Sequence, residues 1–316
     1  MSKKVFLSGV QPSGKPHIGN YFGAMKQFVE LQEEYEGYVI IVDYHALHSL
    51  RNPKEMRENI IAVLLDFLAI GLDPTQVTIF KQSDISEHTE LTWIFDTVTT
   101  MPYLMRAHAF KDAESKNKEI DVGTFNYPVL MASDILLYSP DLVPVGADQK
   151  QHVEICRDIA DKFNNTYGKT FKLPEPIILK DVAVVLGTDG QKMSKSYGNT
   201  IPLFATHEEI KKAVMSIVTD SSGKLPQNVY AIHKLVRPEG ELKKIYEEKK
   251  GSYKELKEIL IEDLEKFIAP LRERRKEFEK DIPKALAILK AGGEKAKKIT
   301  GAKMREVRDK IGVNIY

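Results

Sequence analysis

The sequence predicts an α/β fold, with a doubly wound parallel sheet followed by a C-terminal α-helical domain. Apolar runs of strand length alternate with amphipathic helical patterns over the first half of the chain. A turn rich in proline and glycine, Pro12–Pro16, joins the first apolar run to the first helix, as in nucleotide-binding folds. After residue 200 only amphipathic helical patterns follow. We therefore expect a catalytic domain over residues 1–200 and a helical domain over residues 201–316, whose last helix packs back on the first domain.

Each predicted strand is a short apolar run. The first, Val5–Gly9, stops at a glycine, and the second, Tyr38–Asp43, is almost wholly apolar, as expected of a strand that helices cover on both faces. Two further strands are predicted at Val77–Lys81 and Leu142–Val145. Their alternation with helices predicts parallel pairing through right-handed crossovers.

Helices are marked by their end signals. The helix after the second strand has Asn52 as N-cap, an apolar stripe over Ile60–Ile70 and Gly71 as its stop, and Thr206 predicts a later N-cap. A polar loop is expected at Asp112–Val122, and a helix break at Gly292–Gly293. Other helices are predicted at Ile18–Tyr35, Glu87–Thr99, Asn126–Tyr138, Asp148–Phe163, Glu239–Lys249 and Ser252–Leu289.

Composition narrows the class of protein. Apolar residues make up 42% and charged residues 29% of the 316, which is typical of a globular chain, and no run approaches the 18 apolar residues of a membrane span. Lys3 and Lys4 precede a strand-like run and no signal segment, so we expect a cytoplasmic protein with no membrane partner. The single cysteine, Cys156, excludes an internal disulfide or a cysteine-rich metal site, and we expect a packed thiol.

The net charge of +1 hides an asymmetry. Residues 241–316 contain 21 Lys and Arg against 15 Asp and Glu, whereas the rest of the chain contains 25 against 30. This basic tail suggests a polyanionic partner, and the alternative is a solvated helix face with internal ion pairs.

Two short strings have the chemistry of phosphate-binding sites. The first, QPSGKPHIGN at Gln11–Asn20, places a helix amino terminus after the first strand, where free backbone N–H groups bind anions. His17 and Asn20 are short donors beside it, and Gly19 lacks a Cβ that would block a base or ribose. A turn with no ligand is the alternative.

The second string is KMSKS at Lys192–Ser196, flanked by Gly187, Gly190 and Gly198. A glycine-bordered loop can bring Lys192 and Lys195 onto a leaving pyrophosphate in the transition state. A solvated lysine loop is the alternative.

In combination, the two strings resemble the paired signatures of class I aminoacyl-tRNA synthetases, with Asn20 in place of a final histidine, as is common in the tryptophanyl branch. Three other strings support the resemblance: SGVQPSG at Ser8–Gly14, MASDILLY at Met131–Tyr138 and VPVGADQKQH at Val143–His152. The resemblance implies a Rossmann-like catalytic domain, ATP with Mg²⁺ as substrate, no protein-bound structural metal, and L-tryptophan and tRNA(Trp) as further partners. It also implies a homodimer and a helical domain that reads the anticodon.

The resemblance assigns site residues in three sets. The catalytic set is His17, Asn20, Lys192 and Lys195. The set that contacts ATP is Gln11, Pro12, Ser13, Gly19, Asn20, Gly146, Ala147, Asp148, Val185, Lys192, Met193, Ser194, Lys195 and Ser196, with Val184 as the alternative to Val185. The set that contacts tryptophan is Asp134, Leu7, His45, Tyr127, Met131, Val143, Val145 and Gln149. His45 and His48 have a spacing seen in metal sites, but without further ligands we expect a structural or substrate-wall role.

Asp134 carries the specificity in this interpretation. It lies within an apolar helix, where an unpaired carboxylate would cost several kcal/mol. The resemblance pairs it with the indole N–H of tryptophan, a donor-only group, and the alternative is an N-cap or a salt bridge on the helix face. Tyrosine could donate to the same carboxylate, so pocket width must share the discrimination.

Two other functions are compatible with the sequence. A tyrosine-specific ligase of the same fold is disfavoured by the setting of Asp134 and by KMSKS. A non-catalytic paralogue that binds tRNA or tryptophan is disfavoured because both phosphate-binding strings are present.

Overall fold

The protein is described by a computed structural model over residues 3–107, 110, 111, 114, 120–146, 150–178, 184–219 and 225–315. Five parallel strands form one sheet in this described part of the chain. They are β1 (Val5–Val10), β2 (Glu36–Ile41), β3 (Val77–Lys81), β4 (Leu142–Val145) and β5 (Glu175–Ile178). The predicted doubly wound α/β fold is confirmed, and β5 is a strand that the sequence analysis missed.

The strand order β3-β2-β1-β4-β5 places β1 at the centre. The chain builds β2 and β3 on one side of β1 and then returns to build β4 and β5 on the other side. β1 pairs with β2 from Val5↔Glu36 to Val10↔Ile41, but with β4 only at Phe6↔Leu142. The carboxyl ends of β1 and β4 therefore diverge, and such a switch point is where doubly wound folds bind ligands.

Helices connect the strands and form the C-terminal third. They are α1 (Ile18–Asn20), a π-helical turn (Tyr21–Met25), α2 (Lys26–Leu31), α3 (Asp43–Ala46), α4 (Pro53–Ile70), α5 (Glu87–Asp96), α6 (Met101–Leu104), α7 (Val122–Leu136), α8 (Lys150–Tyr167), α9 (His207–Met215), α10 (Gln227–His233), α11 (Glu239–Glu248), α12 (Tyr253–Glu279) and α13 (Ile282–Ile311). None of these helices combines the length and the apolarity that crossing a membrane requires, within the residues described.

The predicted end signals of two helices are confirmed. Asn52 accepts from the backbone N–H of Lys54 at 3.0 Å at the start of α4, and Gly71 ends that helix with φ of 105°. Thr206 and Glu209 form a capping box at the start of α9. Most of the predicted polar loop at Asp112–Val122 lies outside the described residues, although Val122 itself begins α7.

The predicted break at Gly292–Gly293 is wrong. The chain breaks at Lys280–Asp281 instead, between α12 and α13, and Asp281 caps α13 by accepting from the backbone N–H of Lys284 at 3.1 Å. Gly292 lies in mid-helix against β3, where a Cβ would stand 1.9 Å from the carbonyl oxygen of Ile79. Glycine is required there because two backbones approach closely, and not because the helix ends.

The core lies on both faces of the sheet. Phe6 and Val39 point into one buried cluster, while their neighbours Leu7 and Tyr38 point into the other, following the alternation of a β-strand. Helix α13 contributes Leu289 to the first cluster and Met304 to the second, so it crosses the edge of the sheet at Gly292. The C-terminal helices therefore share the core of the sheet.

Candidate active site

A cavity of about 290 Å³ lies at the switch point, against the carboxyl ends of β1 and β4. Seven of the eight residues assigned to tryptophan line this cavity, and so do two of those assigned to ATP, Gln11 and Gly146. The seven are Leu7, His45, Tyr127, Met131, Asp134, Val143 and Val145. The fold thus brings side chains from β1, α3, α7 and β4 around one mainly apolar space.

Asp134 of α7 is buried in the wall of this cavity, with 4% of its surface exposed. Its Oδ2 lies 2.7 Å from Nε2 of His45. Its Oδ1 lies 2.7 Å from Nε2 of Gln82 and 2.6 Å from Nδ1 of His88. The protein itself therefore supplies three hydrogen bonds to this carboxylate, from three other segments, and neither an N-cap nor a helix-face salt bridge is involved.

These contacts keep Asp134 ionised. Burial raises the pKa of the carboxyl, but the hydrogen bonds from His45 and His88 outweigh burial and hold the pKa well below its usual value. A carboxylate can accept about four hydrogen bonds. Oδ1 already accepts two and Oδ2 one among the described residues, so Oδ2 can accept one more from a donor in the cavity.

A second layer lies behind Asp134 and was not predicted from the sequence. His88 is fully buried, and its Nε2 lies 2.9 Å from the hydroxyl of Tyr138. Gln82 directly follows β3, and a polar residue at the carboxyl end of a parallel strand was a signal that could have identified it. Nothing in the local sequence distinguishes His88, because its contact depends on how α5 packs against α7.

A second, smaller cavity of about 110 Å³ adjoins the first, since Gln11 and Ala24 line both. Four residues assigned to ATP line it: Gln11, Ser13, Asn20 and Lys195. One carboxylate, that of Asp66 on α4, also lies in its wall. This cavity contains donors suited to phosphate beside the space suited to an amino acid.

The two strings, QPSGKPHIGN and KMSKS, meet here, as predicted. Lys195 donates from Nζ to the carbonyl oxygen of Ser13 at 2.9 Å, across 182 positions of sequence. The backbone N–H of Ile18 donates to the carbonyl of Ile201 at 3.0 Å, and that of Leu203 to the carbonyl of Pro16 at 3.0 Å. The chain that follows KMSKS is therefore joined directly to the first string.

Within the first string, His17 and Asn20 shape the helix start. Oδ1 of Asn20 accepts from the backbone N–H of His17 at 3.0 Å, which leaves its exposed amide NH₂ as the available donor. Burial, and then the charge of Lys195, lower the pKa of His17 to about 4, so the ring is neutral at neutral pH. Its buried Nδ1 has no hydrogen-bond partner among the described residues.

The second string lies in a tightly bonded turn. Met193 is buried, and its N–H donates to the carbonyl of Val185 at 2.8 Å. Asn199 accepts from the N–H of Ser194 at 2.8 Å and donates to the carbonyl of Lys192 at 3.1 Å. Of the KMSKS residues, Lys195 lines the smaller cavity. Lys192, Met193, Ser194 and Ser196 line neither cavity, and neither does Val185.

Some assigned residues lie elsewhere. Ala147, Asp148 and Gln149 lie outside the described residues. Pro12 is buried within the first string, and the space above Gly19 is filled by the ring of His17 and by Cβ of Met193, each within 3.3 Å of where a Cβ would stand. His48 is exposed, and no group of three His, Cys, Asp or Glu side chains that could hold a metal ion occurs in the described chain.

The sequence analysis also missed several residues that line the larger cavity. Most are apolar or small, and they come from β1, the first helices, β2 and the residue after it, α7 and β4. They are Ser8, Gly9, Ala24, Phe28, Ile40, Val42, Ile135 and Pro144.

Comparison with known proteins agrees with this geometry. The family model for tRNA synthetases class I (W and Y) matches residues 2–276. A tryptophan–tRNA ligase of Fusobacterium nucleatum is 48% identical over 98% of this chain and 99% of its own length. Another, from Rhodopirellula baltica, is 44% identical over 97% of this chain and 99% of its own.

A solved structure is also similar to this chain in fold. Tryptophanyl-tRNA synthetase from Campylobacter jejuni, complexed with ADP and tryptophan, superposes with a TM-score of 0.90 at 42% identity, covering 98% of this chain and 99% of that one. Similarity of this extent in sequence and in structure covers both cavities and the helices behind them. The chain belongs to the tryptophanyl branch of the class I aminoacyl-tRNA synthetases.

Proposed function

We propose that the chain attaches L-tryptophan to tRNA(Trp) through a tryptophanyl-adenylate. In the first step the carboxylate of tryptophan attacks the α-phosphate of ATP and pyrophosphate leaves. In the second step a hydroxyl of the terminal adenosine of tRNA attacks the acyl carbon and AMP leaves. The observation that carries this proposal is the pair of adjoining cavities, one with Asp134 in an apolar wall and one with Lys195 beside Ser13.

The larger cavity holds the amino acid in this proposal. The indole N–H donates to the fourth acceptor position of Asp134, on Oδ2, while His45, Gln82 and His88 hold the carboxylate in place. A substrate without that N–H leaves a buried charge short of one partner, and sites of this kind reject such analogues strongly. Tyrosine is excluded by the shape of the apolar walls, to which Leu7, Met131, Val143 and Val145 contribute.

The smaller cavity holds phosphate groups of ATP. Lys195 is the cation that acts on the developing negative charge, and the amide of Asn20 is a further donor. His17 is neutral and contributes a hydrogen bond in place of a charge. Catalysis rests on positioning and on charge stabilisation, without a covalent enzyme intermediate.

Magnesium accompanies ATP in this scheme. Four of the five polar side chains around the smaller cavity are donors, and its one carboxylate, Asp66, is hydrogen-bonded by Arg275 at 2.6 Å. This donor set suits phosphate oxygens better than a protein cage for Mg²⁺, which binds through substrate phosphates in many such sites.

The second substrate is bound through the helical region, residues 201–316, in this proposal. Six exposed cations of α13 have no carboxylate within 4 Å among the described residues: Lys284, Lys290, Lys297, Lys298, Arg305 and Lys310. Uncompensated cations along one helix favour binding of a polyanion such as tRNA. In this proposal the reaction takes place in the cytoplasm.

The enzyme acts as a homodimer in this proposal. Its one tryptophan, Trp93 on α5, is 73% exposed, and Met101 and Met105 nearby in sequence are 67% and 46% exposed. Large apolar side chains exposed in one region are typical of an interface. A second copy of the chain would cover them.

Charging of tRNA tests the function as a whole. Purified protein, ATP, Mg²⁺ and labelled tryptophan are incubated with a tRNA(Trp) transcript, and the acid-insoluble label is counted. The proposal predicts tryptophanyl-tRNA and one AMP for each charged tRNA, and no charging of a tRNA(Tyr) transcript by tyrosine. Binding of tryptophan or tRNA without charging would support the non-catalytic paralogue instead.

A further inference from the structure

Asp66 is unexpected where it lies. It is on α4 with 2% of its surface exposed, and it lines the smaller cavity together with Ser13, Asn20 and Lys195. A buried carboxylate in the wall of a phosphate site repels the phosphates, so binding of ATP alone gives no reason for it.

Arg275 holds this carboxylate from the helical region. Its Nε donates to Oδ1 of Asp66 at 2.6 Å, and its guanidinium lies 5.3 Å from the ring centre of Phe204. A second ion pair joins Arg275 to Glu279 on the same helix, α12. One side chain of α12 thus contacts both the wall of the cavity and the chain that follows KMSKS.

Lys195 is the other cation that acts on Asp66, and both side chains line the smaller cavity. Its ammonium binds the carbonyl of Ser13 at 2.9 Å, and the charge of Asp66 raises the pKa of Lys195 against the larger lowering effect of burial. Burial in turn raises the pKa of Asp66 to about 6, with Arg275 and Lys195 opposing it, so the carboxylate is mainly ionised at neutral pH. Oδ2 of Asp66 accepts no hydrogen bond among the described residues and is available to the ammonium.

We propose that Asp66, fixed by Arg275, is a positioning residue for Lys195. It provides the opposite charge that keeps the ammonium at the cavity before ATP arrives, and it releases the ammonium to the phosphates when they bind. Because Arg275 belongs to α12, the position of Lys195 depends on how α12 packs against α4. This inference rests on the proposed role of Lys195 in adenylate formation.

A double-mutant cycle tests the inference. ATP–pyrophosphate exchange with tryptophan is measured for the wild type, Asp66→Asn, Lys195→Ala and the double variant. We expect Asp66→Asn to lower kcat about tenfold with an unchanged KM for tryptophan, and to change kcat less than about twofold when Lys195 is already alanine. Equal losses in both backgrounds would overturn the inference, because Asp66 would then act independently of Lys195.

A matched pair of variants separates positioning from packing. Arg274 lies beside Arg275 on α12 and donates to the carbonyl of Ala69 on α4 at 3.2 Å, but it contacts no carboxylate among the described residues. Arg275→Met should reproduce the loss of kcat caused by Asp66→Asn, whereas Arg274→Met should leave kcat within about twofold of the wild type. Equal effects of the two methionine variants would show that only the packing of α12 matters.

Folding is monitored by thermal melting of each variant. If Asp66→Asn is unfolded at the assay temperature, the same cycle is run with Arg275→Lys, which keeps the positive charge and loses the Nε contact. Coupling to Lys195 is expected there too, and additivity would reject the inference. A wild type that does not exchange pyrophosphate would instead refute the proposed function, so the two failures are distinct.

Discussion

Lys195 donates a hydrogen bond from Nζ to the backbone carbonyl of Ser13 at 2.9 Å. The two residues lie 182 positions apart in the sequence, and both line the smaller cavity. Because a backbone carbonyl is a weak partner for an ammonium group, incoming phosphates can replace it at little cost. The contact therefore places Lys195 one short movement from its proposed position in catalysis.

Replacing Lys195 with alanine should affect the transition state far more than ground-state binding. We expect Lys195→Ala to lower kcat for pyrophosphate exchange by about 100-fold, while the Kd for tryptophan changes less than about threefold. Stopped-flow measurement of adenylate formation and equilibrium binding of tryptophan provide the two numbers. Lys211→Ala, which removes an exposed lysine of α9, is the control. Equal losses in rate and in binding would contradict a transition-state role.

The indole N–H should be read by Asp134. We expect the wild type to prefer tryptophan over its benzothienyl analogue, in which sulfur replaces the N–H. Asp134→Asn should lose most of that preference, because its kcat/KM for tryptophan should fall by about 10-fold to 100-fold. Exchange kinetics with each substrate measure it. Ser133→Ala, at the buried neighbour that binds Thr92 at 3.0 Å, is the control. If Asp134→Asn retained the preference, the N–H would be read by another group.

Burial of neutral His17 should make stability depend on pH. The pKa of His17 is about 4 in the folded protein and 6.5 in the unfolded chain, so the unfolded chain binds more protons between these values. Its contribution to stability is therefore complete above pH 6.5 and is lost as the pH falls towards 4, with an upper limit of about 3 kcal/mol.

Urea unfolding at pH 7, 6 and 5 tests this dependence in the wild type and in His17→Asn. The difference between the two isolates His17, because other titrating groups such as Asp66 contribute to both. The wild type should lose more free energy of unfolding than the variant as the pH falls. Parallel pH profiles would show that the ring is not buried in its neutral form.

A methyl group at Gly292 should disrupt the crossing of α13 over β3. Because the added Cβ would stand 1.9 Å from the carbonyl oxygen of Ile79, Gly292→Ala should destabilise the protein by about 1–3 kcal/mol. Gly301→Ala in the same helix is the control, since its nearest neighbour would be an oxygen of Glu87 at 3.9 Å, and it should stabilise by up to about 1 kcal/mol. The free energy of unfolding in urea distinguishes them, and a neutral Gly292→Ala would contradict the close approach.

Local signals in the sequence predicted much of the fold. Val77–Lys81 and Leu142–Val145 agree with the structure to the residue, because buried strands are continuous apolar runs with clear ends. β5 was missed because four residues that include Pro176 carry little periodicity. Gly292 was misread as a helix break because the backbone that requires glycine there belongs to β3, more than 200 positions away in the sequence.

The candidate site also contains residues that local patterns predicted and residues that only packing brings together. Residues within the five strings of the sequence analysis line the two cavities. Asp134 was identified because a carboxylate in an apolar helix needs a partner. His45 was assigned to the site, but its hydrogen bond to Asp134 was not predicted, and neither were the partners Gln82 and His88. The three converge only when α3, α5 and the residue after β3 pack around α7. The pairing of Asp66 with Arg275 likewise depends on the packing of α12, which no local pattern reveals.

ATP–pyrophosphate exchange with single amino acids tests the central claim most directly. Labelled pyrophosphate should enter ATP when tryptophan is the sole amino acid supplied, and exchange with tyrosine at the same concentration should be lower by about 1,000-fold or more. Exchange that depends on tyrosine would assign the pocket to the other branch of the family. No exchange with either amino acid would contradict the catalytic role of the two adjoining cavities.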